Sequence, residues 1–154
     1  MLRIIAPGKI KDKHLAALID DYIKRINRYH KLEVIEVKDE TINDNDSSEH
    51  IKDKEASRIM EKIDDGDYVI CLDLKGKMYD SPSFATKIDN LVMKHRRVVF
   101  VIGGSLGIGK EVLERANESL KISDMTFLHQ MTRLIILEQI YRGFKILNNE
   151  VYHK

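Results

Sequence analysis

A chain of 154 residues, 43% hydrophobic and 33% charged, has the makings of one folded domain spanning 1–154; folding at this length removes roughly 70% of the unfolded chain's surface from water. The 26 basic and 25 acidic residues leave a formal charge of +1, which excludes a polybasic nucleic-acid coat and an acidic disordered tail. Cys71 is the single cysteine, so an intrachain disulfide and a cysteine-based zinc site are excluded, and no apolar run reaches the ~20 residues that span a bilayer.

Leu2 to Ala6 reads as a short buried strand closed by the turn Pro7-Gly8. From Asp12 to Tyr29, apolar residues at Leu15, Leu18, Ile19, Tyr22, Ile23 and Ile26 recur at spacings of three and four, which predicts a helix. Leu32 to Val37 alternates and is β-branched, a second strand. Asp39 to Ser48 is polar and reads as a loop. Helical spacing returns at Ile51, Ala56, Ile59, Met60 and Ile63, then stops at Asp65-Gly66. A third strand is expected over Tyr68 to Leu74, and Ser81-Pro82 opens a helix at a position where the missing proline N–H is harmless. Arg97 to Ile102 is the strongest strand and runs into Gly103-Gly104-Ser105-Leu106-Gly107. The remainder predicts a helix over Lys110 to Asn117, a short strand over Leu120 to Ser123, and a long helix over His129 to Leu147.

Strands alternate with helices throughout, so the fold class is α/β, with a mostly parallel sheet and helices on both faces. Ligands of such sheets bind beyond the carboxyl ends of the strands. Attention therefore falls on the turns after Leu74, Ile102 and Ser123. The neutral total also hides a split: residues 1–37 carry +3, residues 38–67 carry −6, and residues 68–154 carry +4. An RNA-binding surface would use the two ends and avoid the middle.

The run from Gly104 to Gly109-Lys110 has the spacing G-x-x-x-x-G-K of a phosphate-binding loop, after a strand and before a helix. Glu111 stands where a hydroxyl should hold Mg²⁺, and its carboxylate would repel phosphate. A nucleotide hydrolase is thus the weaker reading. Three glycines within a few residues favour close approach of some other ligand to the backbone.

Several segments together resemble one family. They are Gly8-Lys9, Leu72-x-x-x-Gly76-Lys77, Val101-Ile102-Gly103-Gly104-Ser105-x-Gly107, Ser123-x-Met125-Thr126-Phe127-x-His129-Gln130-Met131, Arg133, Glu138-Gln139-x-Tyr141-Arg142 and the final Tyr152-His153-Lys154. The chain resembles the RlmH family along its whole length, with one departure, Leu128 where relatives carry proline. The resemblance implies a SPOUT-class fold with a C-terminal trefoil knot. It implies transfer of a methyl group from S-adenosyl-L-methionine to N3 of pseudouridine 1915 in 23S rRNA of the assembled ribosome. A cytoplasmic homodimer is the implied form, with no membrane and no metal. By the same resemblance the cofactor positions are Leu72, Gly103 and Ile122, Ser123, Asp124, Met125, Thr126 and Phe127. The catalytic candidates are His129, Arg133, Glu138, Arg142, Tyr152 and His153, with the tail reaching an active site of this or a partner subunit.

The residues read alone leave blander options open. Leu72 is as readily core, Ile122 to Phe127 an edge strand, Glu138 and Arg142 a surface ion pair worth roughly 0.2–0.5 kcal/mol, and the tail a frayed end. The helix bearing that pair also carries Leu134, Ile135, Ile136, Leu137, Ile140, Tyr141 and Phe144. So much apolar surface exceeds one face and suggests a second subunit. Lys75, Lys77, Lys110, Arg133 and Arg142 are candidates for phosphate contact. A non-catalytic module that binds the ribosome through its basic ends remains the alternative from another class.

Overall fold

A strand apolar on alternate residues of both sets needs cover on both faces, and the strongest strand shows it directly. Val98, Phe100 and Ile102 enter one hydrophobic cluster, while Val99 and Val101 enter another. The computed structural model describes all 154 residues. Its five strands are β1 (Leu2–Pro7), β2 (Leu32–Val37), β3 (Tyr68–Lys77), β4 (Val98–Val101) and β5 (Glu118–Leu120). They form one parallel sheet in the order β2-β1-β4-β3-β5. Ile4 lies between Val34 and Phe100, which fixes the register at the centre.

Three helices cover one face: α1 (Lys13–Ile26), α3 (Ser81–Lys94) and α5 (His129–Leu147). They supply Ile19, Ile26, Phe84, Ile88, Leu137 and Ile140 to the larger cluster. The other face is covered by α2 (Ser48–Met60) and the short α4 (Lys110–Arg115), through Ala56, Ile59 and Val112. The α/β class, the parallel sheet and the helices on both faces agree with the sequence reading. Helix starts are set by side chains: Asp12, Ser47 and Asp80 each accept a backbone N–H from the first turn of α1, α2 and α3.

Helices α1 and α4 end earlier than their spacing predicts, at Ile26 and Arg115, and two strand ends each differ by three residues. The third strand runs on to Lys77, and the last strand is Glu118–Leu120 rather than Leu120 to Ser123. Both strand differences have one cause. Leu120 pairs with Leu72 and again with Lys77, so the intervening residues loop out of the ladder. The Lys121 N–H then donates to the Lys77 carbonyl at 3.0 Å, and Ser123 Oγ accepts the Met125 N–H at 3.0 Å, turning the chain out of the sheet. Gly76 makes this return possible, because a Cβ there would lie 2.6 Å from backbone atoms of Ser119 and Leu120. Gly76→Ala is expected to cost about 2–3 kcal/mol of stability, as overpacking against rigid backbone does. Chemical denaturation checks it, with an unchanged midpoint as the contrary result.

Candidate active site

The carboxyl ends of β3, β4 and β5 open into a cavity of about 700 Å³, within the range of small-molecule sites. Its walls are three chain segments. One is Leu72 to Leu74 at the outlooped part of β3, one is Ile102 to Ile108 after β4, and one is Leu120 to His129 leading into α5. These are the turns that the parallel sheet singled out.

The glycine loop is built by close backbone approach. A Cβ on Gly103 would meet the Gly107 carbonyl carbon at 2.6 Å and the Ile108 nitrogen at 2.8 Å. Gly107 has φ +95° and donates its N–H to the Gly104 carbonyl at 3.1 Å, a left-handed conformation that glycine adopts without steric cost. Gly109 has another duty: a Cβ there would meet Ala56 Cβ at 2.6 Å and the Lys52 carbonyl at 2.7 Å. The phosphate-loop spacing therefore comes from packing of α4 on α2. Lys110 is exposed and reaches Glu114 at 3.5 Å, so no lysine points into a phosphate cradle.

Of the expected cofactor positions, Leu72, Gly103, Ile122, Ser123, Met125, Thr126 and Phe127 all line the cavity. Asp124 does not. It is exposed, and its carboxylate holds Lys121 at 2.7 Å, which steadies the turn from outside. Asp73, Lys121 and His129 are the ionisable side chains of the lining.

The expected catalytic residues divide into three places. His129 lies at the cavity, at the first position of α5. Arg133, one turn on, points away into the protein and is 1% exposed. Its guanidinium donates to Glu36 at 2.6 Å and to the Gly8 carbonyl at 3.0 Å, joining α5 to the ends of β1 and β2; it is not part of the lining. The phosphate contact expected of Arg133 is thus not available on this buried side chain.

Glu138, Arg142, Tyr152 and His153 gather further along α5, where helical rise puts Glu138 about 13 Å and Arg142 about 20 Å from His129. Arg142 binds Glu138 at 2.5 Å and approaches His153 Nδ1 at 3.3 Å. Tyr152 donates to Glu138 at 3.1 Å, meets the Tyr22 hydroxyl at 3.3 Å, and lies beneath the Arg142 guanidinium at 4.8 Å. Glu138 holds Arg142 above its ordinary pKa, while burial, then Tyr22 and Glu138, push the Tyr152 hydroxyl up. Both groups therefore keep their protons at neutral pH, as hydrogen-bond donors rather than bases. The tail is folded back onto α5, not frayed.

Exposed apolar side chains border the cavity: Leu74, Met125, Phe127 and Leu128 are exposed by 41–75%, and Met78 and Met131 are exposed close by in sequence. Cys71 does not line the cavity; it is buried on the sheet face covered by α2 and α4, and burial pushes its thiol up to about 12, away from the thiolate form. No group of three His, Cys, Asp or Glu side chains is placed to hold a metal ion, and no helix is long and apolar enough to cross a membrane.

Sequence reasoning missed one buried residue at the site's back wall. Glu55 is 5% exposed, and its Oε2 presses on Gly104 so closely that a Cβ there would come within 2.4 Å. The signal was present, because Ile51, Glu55 and Ile59 are spaced by four and place Glu55 on the inward stripe of α2.

The chain matches the family described as "Predicted SPOUT methyltransferase" over residues 1–153. It is 49% identical over 157 aligned residues to the ribosomal RNA large subunit methyltransferase H of Clostridium kluyveri, with 99% of each chain covered. The protein of the same name from Acetivibrio thermocellus is also 49% identical over 157 residues, again with 99% of each covered. Among solved structures, a probable methylase family protein from Haemophilus influenzae Rd KW20 is similar with a TM-score of 0.59, at 15% identity, over 99% of this chain and 70% of that one. This last likeness is one of fold.

Proposed function

As the chain belongs to the SPOUT methyltransferase family, we propose that it methylates 23S ribosomal RNA at N3 of pseudouridine 1915, with S-adenosylmethionine as donor. The observation that carries this reading is the cavity at the strand ends, where seven of eight expected cofactor positions converge. Its lining fits such a molecule. Leu72, Ile122 and Phe127 offer apolar wall for a flat base, Gly103 and Gly104 expose backbone at close range, and Ser123 and Thr126 add hydroxyls. When bound, S-adenosylmethionine supplies an electrophilic methyl group.

In-line displacement at carbon asks the protein chiefly to align donor and acceptor. The three loops hold the donor, and His129 at the mouth is placed to orient the acceptor ring or take a proton from it. Lys121, held by Asp124, and Lys75 and Lys77 beside the outlooped strand can meet phosphates.

One chain alone leaves Glu138, Arg142, Tyr152 and His153 away from the cavity. A homodimer that buries the exposed apolar side chains beside the cavity would bring these residues of one subunit to the cavity of the other. The reading includes a C-terminal trefoil knot and work in the cytoplasm, where the ribosome supplies the shape that a chain of net charge +1 does not hold by charge alone.

Transfer of radiolabelled methyl groups to ribosomes lacking the modification tests the function. Label is expected at one position of 23S rRNA, and equal labelling of free transfer RNA would sink the substrate assignment. Deleting Tyr152 to Lys154 is expected to lower transfer about 100-fold, the scale of a misplaced reacting group. Calorimetric affinity for the donor should change less than about twofold, since the tail does not line the cavity. Retained transfer would refute the tail's role.

A further inference from the structure

Behind the glycine loop, on the side away from the cavity, lies a carboxyl group that the reaction as outlined does not use. Glu55 takes one hydrogen bond, from the Glu40 N–H to its Oε1 at 3.1 Å. No cation pairs with it. Arg58, one turn along α2, is engaged by Glu40 and the Lys38 carbonyl. The other oxygen, Oε2, rests on Gly104, and Gly104 lines the cavity on its opposite side. Gly104 therefore touches both the buried carboxylate and the cavity.

Holding an unpaired carboxylate inside a protein costs stability. Burial raises the Glu55 pKa; the Glu40 amide lowers it, Asp39 raises it, and His129 and Arg58 lower it. Packing alone would be served better by glutamine or methionine at this position, so the charge itself calls for an explanation.

We propose that Glu55 is a specificity-determining residue, whose negative charge behind Gly104 favours the sulfonium donor over its neutral thioether product. This rests on the reading of the cavity as a methyl-donor site. S-adenosylmethionine and S-adenosylhomocysteine carry the same adenosine and amino-acid ends. They differ by one methyl group and by the positive charge on sulfur, so a nearby fixed negative charge acts on that difference alone. Asp73 also borders the cavity but is partly exposed, and water and salt screen it more than they screen Glu55.

The test is calorimetric titration of wild type and Glu55→Gln with each compound, at pH 7.5 and at lower pH. Glu55→Gln is expected to weaken S-adenosylmethionine binding about fivefold, as expected for one charge pair across partly buried protein, and to change S-adenosylhomocysteine binding less than about twofold. As pH drops and Glu55 takes its proton, the preference for the sulfonium should fall more steeply in wild type than in the variant, because the other ionisable residues of the lining are common to both; equal slopes would overturn the proposal. A loop support of no electrical consequence would weaken both compounds equally, and that result overturns the proposal.

Thermal unfolding gives a second readout. A carboxyl whose pKa is raised by folding destabilises the native state while charged, and the cost vanishes once pH falls below its unfolded pKa. Glu55→Gln should therefore unfold at a higher temperature than wild type at pH 7.5, the difference shrinking toward pH 4. A lower unfolding temperature at pH 7.5 would mean that the charge supports the fold, and would overturn the proposal. Wild type that bound neither compound would overturn the donor site itself, and this inference with it. Should Glu55→Gln fail to fold, Glu55→Met removes the same charge and should show the same selective loss of the sulfonium compound, an equal loss for both compounds again overturning the proposal.

Discussion

Gly103→Val is expected to abolish binding of S-adenosylmethionine, with at least about a 100-fold loss of affinity by calorimetry and no detectable methyl transfer. The reason is local. The first side-chain carbon would already overlap the Gly107 carbonyl carbon at 2.6 Å, the Ile108 nitrogen at 2.8 Å and the Gly107 oxygen at 2.9 Å. All three are backbone, and neither Gly107 nor Ile108 can yield by changing rotamer. The loop must move outward by about an ångström, and misplacements of that size are worth about two orders of magnitude in aligned chemistry. Since Ile102 to Ile108 forms one whole wall of the cavity, the displacement falls on the donor itself. Global unfolding is the competing explanation. Circular dichroism should show a folded variant with its unfolding temperature lowered by several degrees, consistent with an overpacking cost of about 1–3 kcal/mol. Gly66→Ala serves as the control, because a Cβ at Gly66 meets nothing within 4 Å. Intact donor binding in Gly103→Val would remove the glycine loop from the site.

The same loop shows what the sequence could and could not disclose. The unbroken apolar run Val98 to Ile102 announces a strand buried on both faces, and the helical spacing over His129 to Leu147 has the observed bounds of α5. Strand-helix alternation then places a ligand site at the strand ends, which is where the cavity lies. Spacing does not say what a glycine is next to. Gly109 completes a phosphate-loop pattern on paper, yet it is needed where α4 crosses Lys52 and Ala56, a contact between segments more than fifty residues apart. The end of the last strand was illegible for a related reason. Leu120 to Ser123 is compatible with extended chain, and the hydrogen bond from Lys121 to Lys77 decides where the ladder stops. Periodicity also gives the face of a helix but not the direction of a long side chain. His129 and Arg133 share a face at i and i+4, and only packing reveals that one borders the cavity and the other is drawn into the protein.

Arg133→Met is expected to lower stability by about 3 kcal/mol, and to do so without a matching loss of donor affinity. Arg133 is the largest fully buried side chain of the fold. Its guanidinium binds Glu36 at 2.6 Å and donates to the Gly8 carbonyl at 3.0 Å, with a longer approach to Pro7 at 3.4 Å. Removing one partner of a buried ion pair typically costs about 3–5 kcal/mol. The low end applies here, because the Glu36 side chain is 32% exposed and can turn to water, and because the Arg133 Nε has no partner to lose. For a chain of this length the cost corresponds to a fall of about 10 °C in unfolding temperature. Donor affinity measured well below that temperature should stay within about threefold, since Arg133 does not line the cavity. A catalytic guanidinium would give the opposite pattern: an unchanged unfolding temperature and a collapsed transfer rate. The double variant Glu36→Leu with Arg133→Met separates the charge pair from the backbone contacts. It removes the stranded carboxylate and should recover part of the loss, as apolar replacement of a buried pair often does. Full recovery is not expected, because the carbonyls of Pro7 and Gly8 would still have lost their donor, and a buried acceptor left unpaired costs about 1–3 kcal/mol. Their loss falls on the turn where β1 ends, so the deficit that remains measures how firmly α5 anchors the strand ends.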